Sequence, residues 1–335
     1  MTRSVAIIGA GQIGLAAEYE FAFEGWDVTL YARTRPARGL SRRTTFVEYI
    51  VGEDRPPRAD VVLDTIAFDE SDIARYDPKE IDHLIVISSA SVYCDARGRT
   101  LDEAAHKGFP EFDGAIGEEN PRVSPGPATY STRKVRMENK AQELFGDRAT
   151  ILRPCAIYGI DSRHPREWWF VKRLLDGRER IPLANQGLSC FHTTSVREIA
   201  QFAENAATLR WEGAFNLGAE APPILLDIGQ AIADILKIDT QFIPIKGFPE
   251  DSVGRSPWSV PKPFTVSISK ALAFEDGYPA LRCVGELYGG IPLENTIHWL
   301  AELNPADWRA AFPQLAAYPY DLFDYEAEDR FFASL

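Results

Sequence analysis

The sequence Ser4-Val-Ala-Ile-Ile-Gly-Ala-Gly-Gln-Ile-Gly14 places a short apolar run directly before three spaced glycines. The run from Val5 to Ile8 is continuous and mostly β-branched, which is typical of a parallel strand covered on both faces. Gly9, Gly11 and Gly14 give the spacing G-x-G-x-x-G. The first glycine permits a tight turn, the second lets a pyrophosphate approach the backbone, and the third lets the next helix pack closely on the strand.

A helical pattern follows these glycines, from Gln12 to about Glu24, so the spacing lies between a strand and a helix. In this context the glycines predict dinucleotide binding, with the phosphates at the helix N-terminus, where free amides and the helix dipole favour anions. A glycine turn with a purely structural role is the alternative. The residues expected to contact the cofactor here are Gly9, Gly11, Gln12, Ile13 and Gly14.

The segment from Trp26 to Arg33 predicts a second strand, whose C-terminal end should approach the adenosine ribose. NAD sites commonly place an acid there, whereas an arginine accommodates the 2′-phosphate of NADP. No acid lies between Val28 and Arg33, so Arg33 favours NADP, with NAD as the alternative. A solvated basic loop is the other interpretation of this arginine. Asp54 follows a weak third strand, where an adenine contact and a polar turn are equally expected.

Two further apolar runs, Ala59 to Ile66 and Ile81 to Ser89, have the same buried character. Strands that alternate with helices indicate an α/β fold with a doubly wound parallel sheet of the Rossmann type. Ligands bind at the carboxyl ends of the strands in such sheets. Ser88, Ser89 and Ser91 stand at the end of the second run, so we expect their hydroxyls to face the cofactor. The alternative role for these serines is helix capping or turn formation, which we expect for two of the three.

Helical periodicity resumes at Ala128 and places Tyr130 and Lys134 four residues apart, on one helix face. A phenol with a pKa of about 10 is a poor base near neutrality, and lowering that pKa by about three units requires roughly 4 kcal/mol. A cation about 4 Å away, at an effective dielectric constant of about 20, supplies roughly that amount. The pair therefore predicts an activated tyrosine. The alternative is an ordinary amphipathic helix with both residues on its rim.

Length and composition restrict the classes of protein to which this chain can belong. A chain of 335 residues suggests one large α/β unit with a smaller second lobe. The net charge of −13 disfavours a nucleic-acid binder and an anionic membrane surface as partner. Cys94, Cys155, Cys190 and Cys283 form no C-x-x-C pair, so we expect neither a metal site nor a disulfide framework. The first strand begins at Ser4 and no apolar run is long enough to span a membrane, so a cytoplasmic protein is expected.

At five points, in the same order, the chain resembles the extended short-chain dehydrogenase/reductases, which include nucleotide-sugar epimerases and dehydratases. The resemblance implies a catalytic triad of Ser89, Tyr130 and Lys134, with Lys134 also holding the nicotinamide ribose. It also implies a homodimer. The matching stretches are GAGQIG at Gly9 to Gly14, SSASVY at Ser88 to Tyr93, YSTRK at Tyr130 to Lys134, LRPCAIYG at Leu152 to Gly159, and AFNLG at Ala214 to Gly218.

This resemblance also suggests how the chain is divided. We expect residues 1–160 to form the dinucleotide-binding domain, with residues 191–218 returning to it. Residues 161–190 and 219–335 are then expected to form a smaller substrate-binding lobe and a C-terminal tail, which packs on the body of the protein or on another subunit.

Two departures from the family narrow the expected chemistry. Dehydratases of the family place Asp-Glu after the catalytic hydroxyl, and Ala90-Ser91 stands there instead, which disfavours a dehydratase of that type. Phe191 stands where many sugar-nucleotide enzymes have an arginine for the diphosphate. Four nearby arginines are candidates to replace it, although surface solvation is the default for each. They are Arg163, Arg166, Arg178 and Arg180.

Ser91, Trp168, Trp169 and Phe191 are the candidates for contact with the substrate. The two tryptophans fall in the part of the chain that the family uses for its substrate lobe. An aromatic wall for the substrate is one interpretation. Packing in the core is the other, because large aromatic side chains dominate buried contacts.

The sequence thus predicts an NAD(P)H-dependent oxidoreductase that reduces a ketone or oxidises the matching secondary alcohol, with a small molecule as substrate. An epimerase that works by internal redox with tightly bound NAD is the nearest alternative, although Arg33 and Phe191 both disfavour it. A regulator or RNA-associated protein that binds NAD(P) without catalysis is the second alternative. The acidic net charge and the intact Ser/Tyr/Lys set disfavour that one.

Overall fold

The computed structural model describes residues 3–249, 252–276 and 288–335, and its chain divides into two compact units. The first unit comprises Met1–Ile157, Thr194–Glu220 and Val266–Glu286. The second comprises Tyr158–Thr193, Ala221–Thr265 and Leu287–Leu335. Cys283 lies outside the described residues.

The strands and helices alternate through the first half of the chain, as the apolar runs predict. The strands are β1 (Ser4–Ile8), β2 (Asp27–Ala32), β3 (Thr44–Glu48), β4 (Ala59–Asp64), β5 (Ile81–Ile87), β6 (Ala149–Pro154), β7 (Ala156–Tyr158), β8 (Arg180–Leu183), β9 (Thr193–Ser195), β10 (Gly213–Leu217) and β11 (Gln241–Pro244). The helices are α1 (Gln12–Phe23), α2 (Glu70–Ala74), α3 (Ala104–Lys107), α4 (Tyr130–Phe145), α5 (Trp168–Leu175), α6 (Val196–Leu209), α7 (Leu225–Leu236), α8 (Ser269–Asp276), α9 (Gly290–Leu303), α10 (Trp308–Ala311), α11 (Pro313–Ala316) and α12 (Tyr325–Ala333).

A seven-stranded parallel sheet forms the centre of the first unit, in the order β10-β6-β5-β4-β1-β2-β3. This order confirms the predicted doubly wound fold of the Rossmann type. The register aligns the carboxyl ends of the inner strands, since Ile8 of β1 pairs with Tyr31 of β2 and with Asp64 of β4. Asp64 in turn pairs with Val86 of β5. Loops that leave these strands therefore start at one edge of the sheet.

Helices cover both faces of this sheet. On one face α2 and α4 pack together, and Met137, Ala141 and Phe145 of α4 are buried in one cluster with strand residues such as Val62 and Leu84. On the other face α1 packs against α6. A sheet buried on both faces explains why its strands are continuous apolar runs.

The segment that begins at Val266 belongs to the first unit, although the expected lobe boundary placed it with the second. Its contacts give the reason. The Ser267 amide donates to the Ile116 carbonyl at 2.8 Å, and the Lys270 ammonium donates to the Ala214 carbonyl of β10 at 2.7 Å. The segment thus extends the packing at the β10 edge of the sheet.

The second unit contains a two-stranded parallel sheet of β8 and β11, with α5 and α7 packed together. The C-terminal helix α12 belongs to this unit and is held by a buried ion pair, because the Arg173 guanidinium lies 2.6 Å from the Glu328 carboxylate. The aromatic tail therefore packs on the body of its own chain. No helix among the described residues is long and apolar enough to cross a membrane.

Candidate functional site

The turn from β1 into α1 is closely packed at two of its glycines and open at the third. Gly9 has a φ of +101°, and a Cβ added there would lie 2.5 Å from Thr65 Oγ1. A Cβ on Gly14 would lie 1.9 Å from the Gly9 carbonyl oxygen, whereas a Cβ on Gly11 would meet nothing within 4 Å. Gly11 is also the N-cap of α1 and provides no side-chain acceptor for the first amides. The turn thus fits a pyrophosphate, which would approach at Gly11.

Gln12 and Ile13 begin α1 directly after this turn. Ile13 is largely buried, and the Gln12 side-chain oxygen is buried without a hydrogen-bond partner among the described residues. An unpartnered buried oxygen costs free energy, so it marks a position where a donor from a bound group fits. The backbone of both residues lies at the helix end that the sequence predicts for the phosphates.

Arg33 and Asp54 lie beyond the ends of the next two strands. Arg33 follows β2, is exposed, and has no ion pair among the residues that the structure describes. Its predicted contact with the 2′-phosphate of NADP stays a prediction. The Asp54 carboxylate accepts a hydrogen bond from the Ile50 amide at 2.6 Å. This contact fits a polar turn, which is one of the two interpretations of Asp54.

The three predicted serines have different partners. The Ser88 hydroxyl is buried and donates to Glu138 at 2.5 Å. The Ser91 hydroxyl accepts from the Ser131 hydroxyl at 3.0 Å, on α4. The Ser89 oxygen accepts from the Ser91 amide at 3.1 Å, and it also lies beside the Tyr130 phenol, whose pKa it lowers. Of the three, Ser89 is the one that the structure brings to Tyr130.

Lys134 is anchored where two strands of the central sheet end. Its ammonium donates to the Ala67 carbonyl at 2.7 Å and to the Ile87 carbonyl at 2.8 Å. The same nitrogen lies 5.7 Å from the centre of the Tyr130 ring. Ala67 follows β4 and Ile87 ends β5, so these two backbone acceptors fix the lysine at the carboxyl edge of the sheet. Sequence reasoning missed both acceptors.

The pKa values of this pair differ from the expectation that Lys134 lowers the pKa of Tyr130. Burial raises the pKa of Tyr130 to about 12, and the nearby Ser89 hydroxyl opposes that effect only in part. Burial also lowers the pKa of Lys134 to about 8, against the opposing effect of Asp64. In this arrangement burial outweighs any lowering of the Tyr130 pKa by the lysine, whose ammonium donates to the Ala67 and Ile87 carbonyls. Tyr130 is protonated at neutral pH and suited to act as an acid.

Asp64 is a further residue of this edge that the sequence analysis did not single out. It is buried and accepts hydrogen bonds from the Ala67 amide at 2.7 Å and the Tyr76 hydroxyl at 2.6 Å. These contacts hold the loop whose Ala67 carbonyl receives Lys134. The signal that could have identified Asp64 is an acid at the end of the apolar run that begins at Ala59.

The predicted substrate residues of the second unit divide into two groups. Trp168 and Trp169 are 1% and 0% exposed, so they are core residues and form no wall for a substrate. Trp168 packs edge-on against Phe312 because α5 turns its aromatic face inward. Phe191 is only partly buried, with its ring 5.7 Å from that of Phe264.

Comparison with solved structures identifies proteins of the same fold. A UDP-glucuronic acid 4-epimerase from Bacillus cereus, in complex with UDP-glucuronic acid and NAD, is 17% identical, with 90% of this chain and 99% of that chain covered and a TM-score of 0.60. A dTDP-glucose 4,6-dehydratase from Bacillus anthracis, in complex with NAD, is 15% identical, with coverage of 92% and 100% and a TM-score of 0.63.

A UDP-N-acetylglucosamine 4-epimerase, also from Bacillus cereus, is 14% identical, with coverage of 90% and 99% and a TM-score of 0.62. At these identities the likeness is one of fold. No family model and no curated protein matches the chain.

Proposed function

We propose that this chain is an NAD(P)-dependent enzyme of the extended short-chain dehydrogenase/reductase type, which acts on a secondary alcohol or the matching carbonyl. The position of Lys134 carries the proposal. Its two hydrogen bonds, to the Ala67 and Ile87 carbonyls, place the Tyr130–Lys134 pair at the carboxyl edge of the sheet, together with Ser89. The glycine turn that fits a pyrophosphate begins at the same edge.

Each of the three side chains has a task in this chemistry. A bound nicotinamide supplies or removes a hydride at the substrate carbon. Tyr130, which is protonated at neutral pH, donates its phenolic proton to the substrate oxygen. Ser89 donates a hydrogen bond to the same oxygen. The Lys134 cation stabilises the phenolate that remains on Tyr130.

Epimerisation by internal redox at one sugar carbon is the use of this chemistry that the fold neighbours favour, because two of the three described above are named as 4-epimerases. In such an enzyme Tyr130 would accept the hydroxyl proton as the sugar carbon is oxidised and return it as that carbon is reduced, so the bound nicotinamide would be restored at the end of each cycle. Dehydration is not proposed, because Ala90-Ser91 provides no acid and base for loss of water.

Net reduction of a ketone is the second candidate, and Arg33 is the observation that favours it. An exposed arginine directly after β2, with no acid between Val28 and Arg33, suits the 2′-phosphate of NADP. NADPH that exchanges with solution drives net reduction. In contrast, an epimerase regenerates its own cofactor.

The two uses are separated by identifying the nucleotide that is released when protein purified without added cofactor is denatured. Stoichiometric NAD is the result expected for an epimerase. An empty protein that binds NADPH reversibly is the result expected for a reductase. A protein that neither releases nor binds NAD or NADP contradicts the proposed function altogether.

The role of Tyr130 is tested by Tyr130→Phe, measured with UDP-sugars by NMR and with ketones and NADPH by absorbance. Turnover should fall by about 10² to 10⁴, the usual effect of a positioned acid or base. Tyr19→Phe, at an exposed tyrosine of α1, is the control and should keep full turnover. Equal turnover in both variants would remove Tyr130 from the mechanism.

A further inference from the structure

Arg166 differs from the other arginines that were candidates for an anion. Arg178 forms an ion pair with Asp329, and the guanidinium carbon of Arg180 lies 4.3 Å from the centre of the Phe332 ring. Arg163 is exposed. Arg166 is half-buried, and it has no carboxylate within ion-pairing distance among the residues that the structure describes.

The surroundings of Arg166 are aromatic and come from separate segments of the second unit. Its guanidinium carbon lies 5.7 Å from the centre of the Phe191 ring and 5.4 Å from that of Trp258. Tyr318 is close enough to interact with the guanidinium through its phenol, and its hydroxyl lies 3.3 Å from the His164 imidazole. Aromatic faces attract a cation without neutralising it.

The guanidinium also keeps unused hydrogen-bonding capacity. Its Nε atom is buried and has no acceptor among the described residues. The adjacent carboxyl, Glu167, is buried, and that burial raises its pKa to about 7, so it is only partly ionised at neutral pH. Arg173, the buried arginine of α5, shows the opposite arrangement, with the Glu328 carboxylate at 2.6 Å. A desolvated charge without such a partner is unfavourable and fits an anionic ligand.

We propose that Arg166, framed by Phe191, Trp258 and Tyr318, binds an oxyanion, either a carboxylate or a phosphate. A guanidinium presents paired N–H donors that match two oxygens of either group, and the phenol of Tyr318 adds a neutral donor. These four residues all belong to the second unit, so the anion site does not rest on the proposed function.

The test is calorimetric titration of the full chain with inorganic phosphate, pyrophosphate and malonate. The dissociation constant should rise by about tenfold to a hundredfold in Arg166→Gln, the effect of losing a charge-assisted contact. Arg163→Gln, three residues away and exposed, is the matched control and should bind like the unmodified chain. Binding at the glycine turn is common to both variants, so their difference isolates Arg166. Preference for malonate indicates a carboxylate, and preference for the phosphates indicates a phosphate.

Two results would overturn the proposal. One is equal binding by Arg166→Gln and Arg163→Gln, and the other is failure of the unmodified chain to bind any of the three anions. If Arg166→Gln does not fold, Arg166→Lys and Tyr318→Phe replace it, and unchanged binding in both would overturn the proposal equally. NADPH binding, measured separately, should persist in all variants. Its absence from the unmodified chain would count against the proposed function alone.

Discussion

Gly11 and Gly14 lie three residues apart at the start of α1 under opposite steric conditions. A Cβ on Gly14 would collide with the Gly9 carbonyl oxygen at 1.9 Å, whereas one on Gly11 would project into open space. Gly14→Ala should therefore destabilise the fold, which thermal unfolding will measure. Gly11→Ala should leave the melting temperature unchanged and weaken binding of NAD(P), because its methyl group would occupy the approach of the pyrophosphate. Unchanged nucleotide binding by folded Gly11→Ala would contradict this prediction.

Arg33 allows a direct test of cofactor preference. Arg33→Ser removes the cation at the end of β2 and should weaken NADPH binding by about tenfold or more, with little effect on NADH. Arg35→Ser is the matched control, because Arg35 is also exposed but directs its guanidinium toward the Phe46 ring at 5.6 Å. The measurement is fluorescence titration with each nucleotide. Equal affinities of Arg33→Ser and the unmodified chain for NADPH would remove Arg33 from the cofactor site.

The pKa of Lys134 predicts the alkaline limit of the reductive reaction. Because burial lowers this pKa to about 8, the lysine loses its charge as pH rises through about 8, while Tyr130 stays protonated up to about pH 12. The phenolate formed after proton transfer then lacks its cation, so kcat for carbonyl reduction should fall above about pH 8. Lys134→Arg, which cannot be deprotonated in this range, should lower the maximum rate but remove that fall. An identical alkaline limb in both proteins would contradict the assignment.

At the level of residues, the sequence allowed the placement of side chains to be predicted where their spacing along an element is fixed. Tyr130 and Lys134 are examples, since four residues separate them on one helix. The carbonyls of Ala67 and Ile87, which anchor Lys134, gave no signal because every residue has a backbone acceptor. Trp168 illustrates the converse, because an aromatic side chain has the same pattern in a core and in a binding wall.

At the level of elements, one buried carboxylate links α4 to two strands of the sheet. Glu138 is buried and accepts two hydrogen bonds from Arg153 of β6, at 2.9 and 2.7 Å, and one each from Ser88 at the end of β5 and from Arg122. Glu138 is four residues after Lys134, so the contact fixes the helix turn that follows the Tyr130–Lys134 pair. The strands and helices themselves were predictable from apolar periodicity. This link was not, because it joins residues from distant parts of the sequence.

Replacing this carboxylate should be costly for stability. Glu138→Leu leaves the Arg153 guanidinium buried without its partner, which costs about 3 to 5 kcal/mol of unfolding free energy. Denaturant unfolding will measure the loss. Glu143→Leu, at an exposed acid of the same helix, should change stability by less than about 1 kcal/mol.

The double variant Glu138→Leu/Arg153→Met checks that the loss comes from the uncompensated charge. It should be destabilised by less than the sum of its two single variants, because no fully buried unpaired charge remains and Arg122, the other partner of Glu138, is partly exposed. Additive losses in the three variants would show instead that the two side chains contribute independently.

At the level of the whole molecule, a buried histidine should contribute to the acid limit of stability. His83 of β5 is 1% exposed and its Nε2 lies 2.8 Å from the Thr150 hydroxyl. That hydroxyl donates to the Trp211 carbonyl, so Nε2 carries the proton and donates to Thr150. Nδ1 is buried without a partner among the described residues. Protonation would place a charge in the core.

Burial, together with the positive charges of Arg210 and Arg148, lowers the pKa of His83 from 6.5 to about 4. Between these values the unfolded chain binds a proton that the folded chain does not, so stability is lost as pH falls from about 6.5 to about 4. The shift corresponds to about 3 kcal/mol. Urea unfolding across this range should show a shallower decline for His83→Gln than for His106→Gln, whose histidine is exposed. The acidic net charge of −13 is common to both variants, so relief of its repulsion at low pH cancels in the comparison. Parallel declines would show that His83 does not contribute to the acid limit.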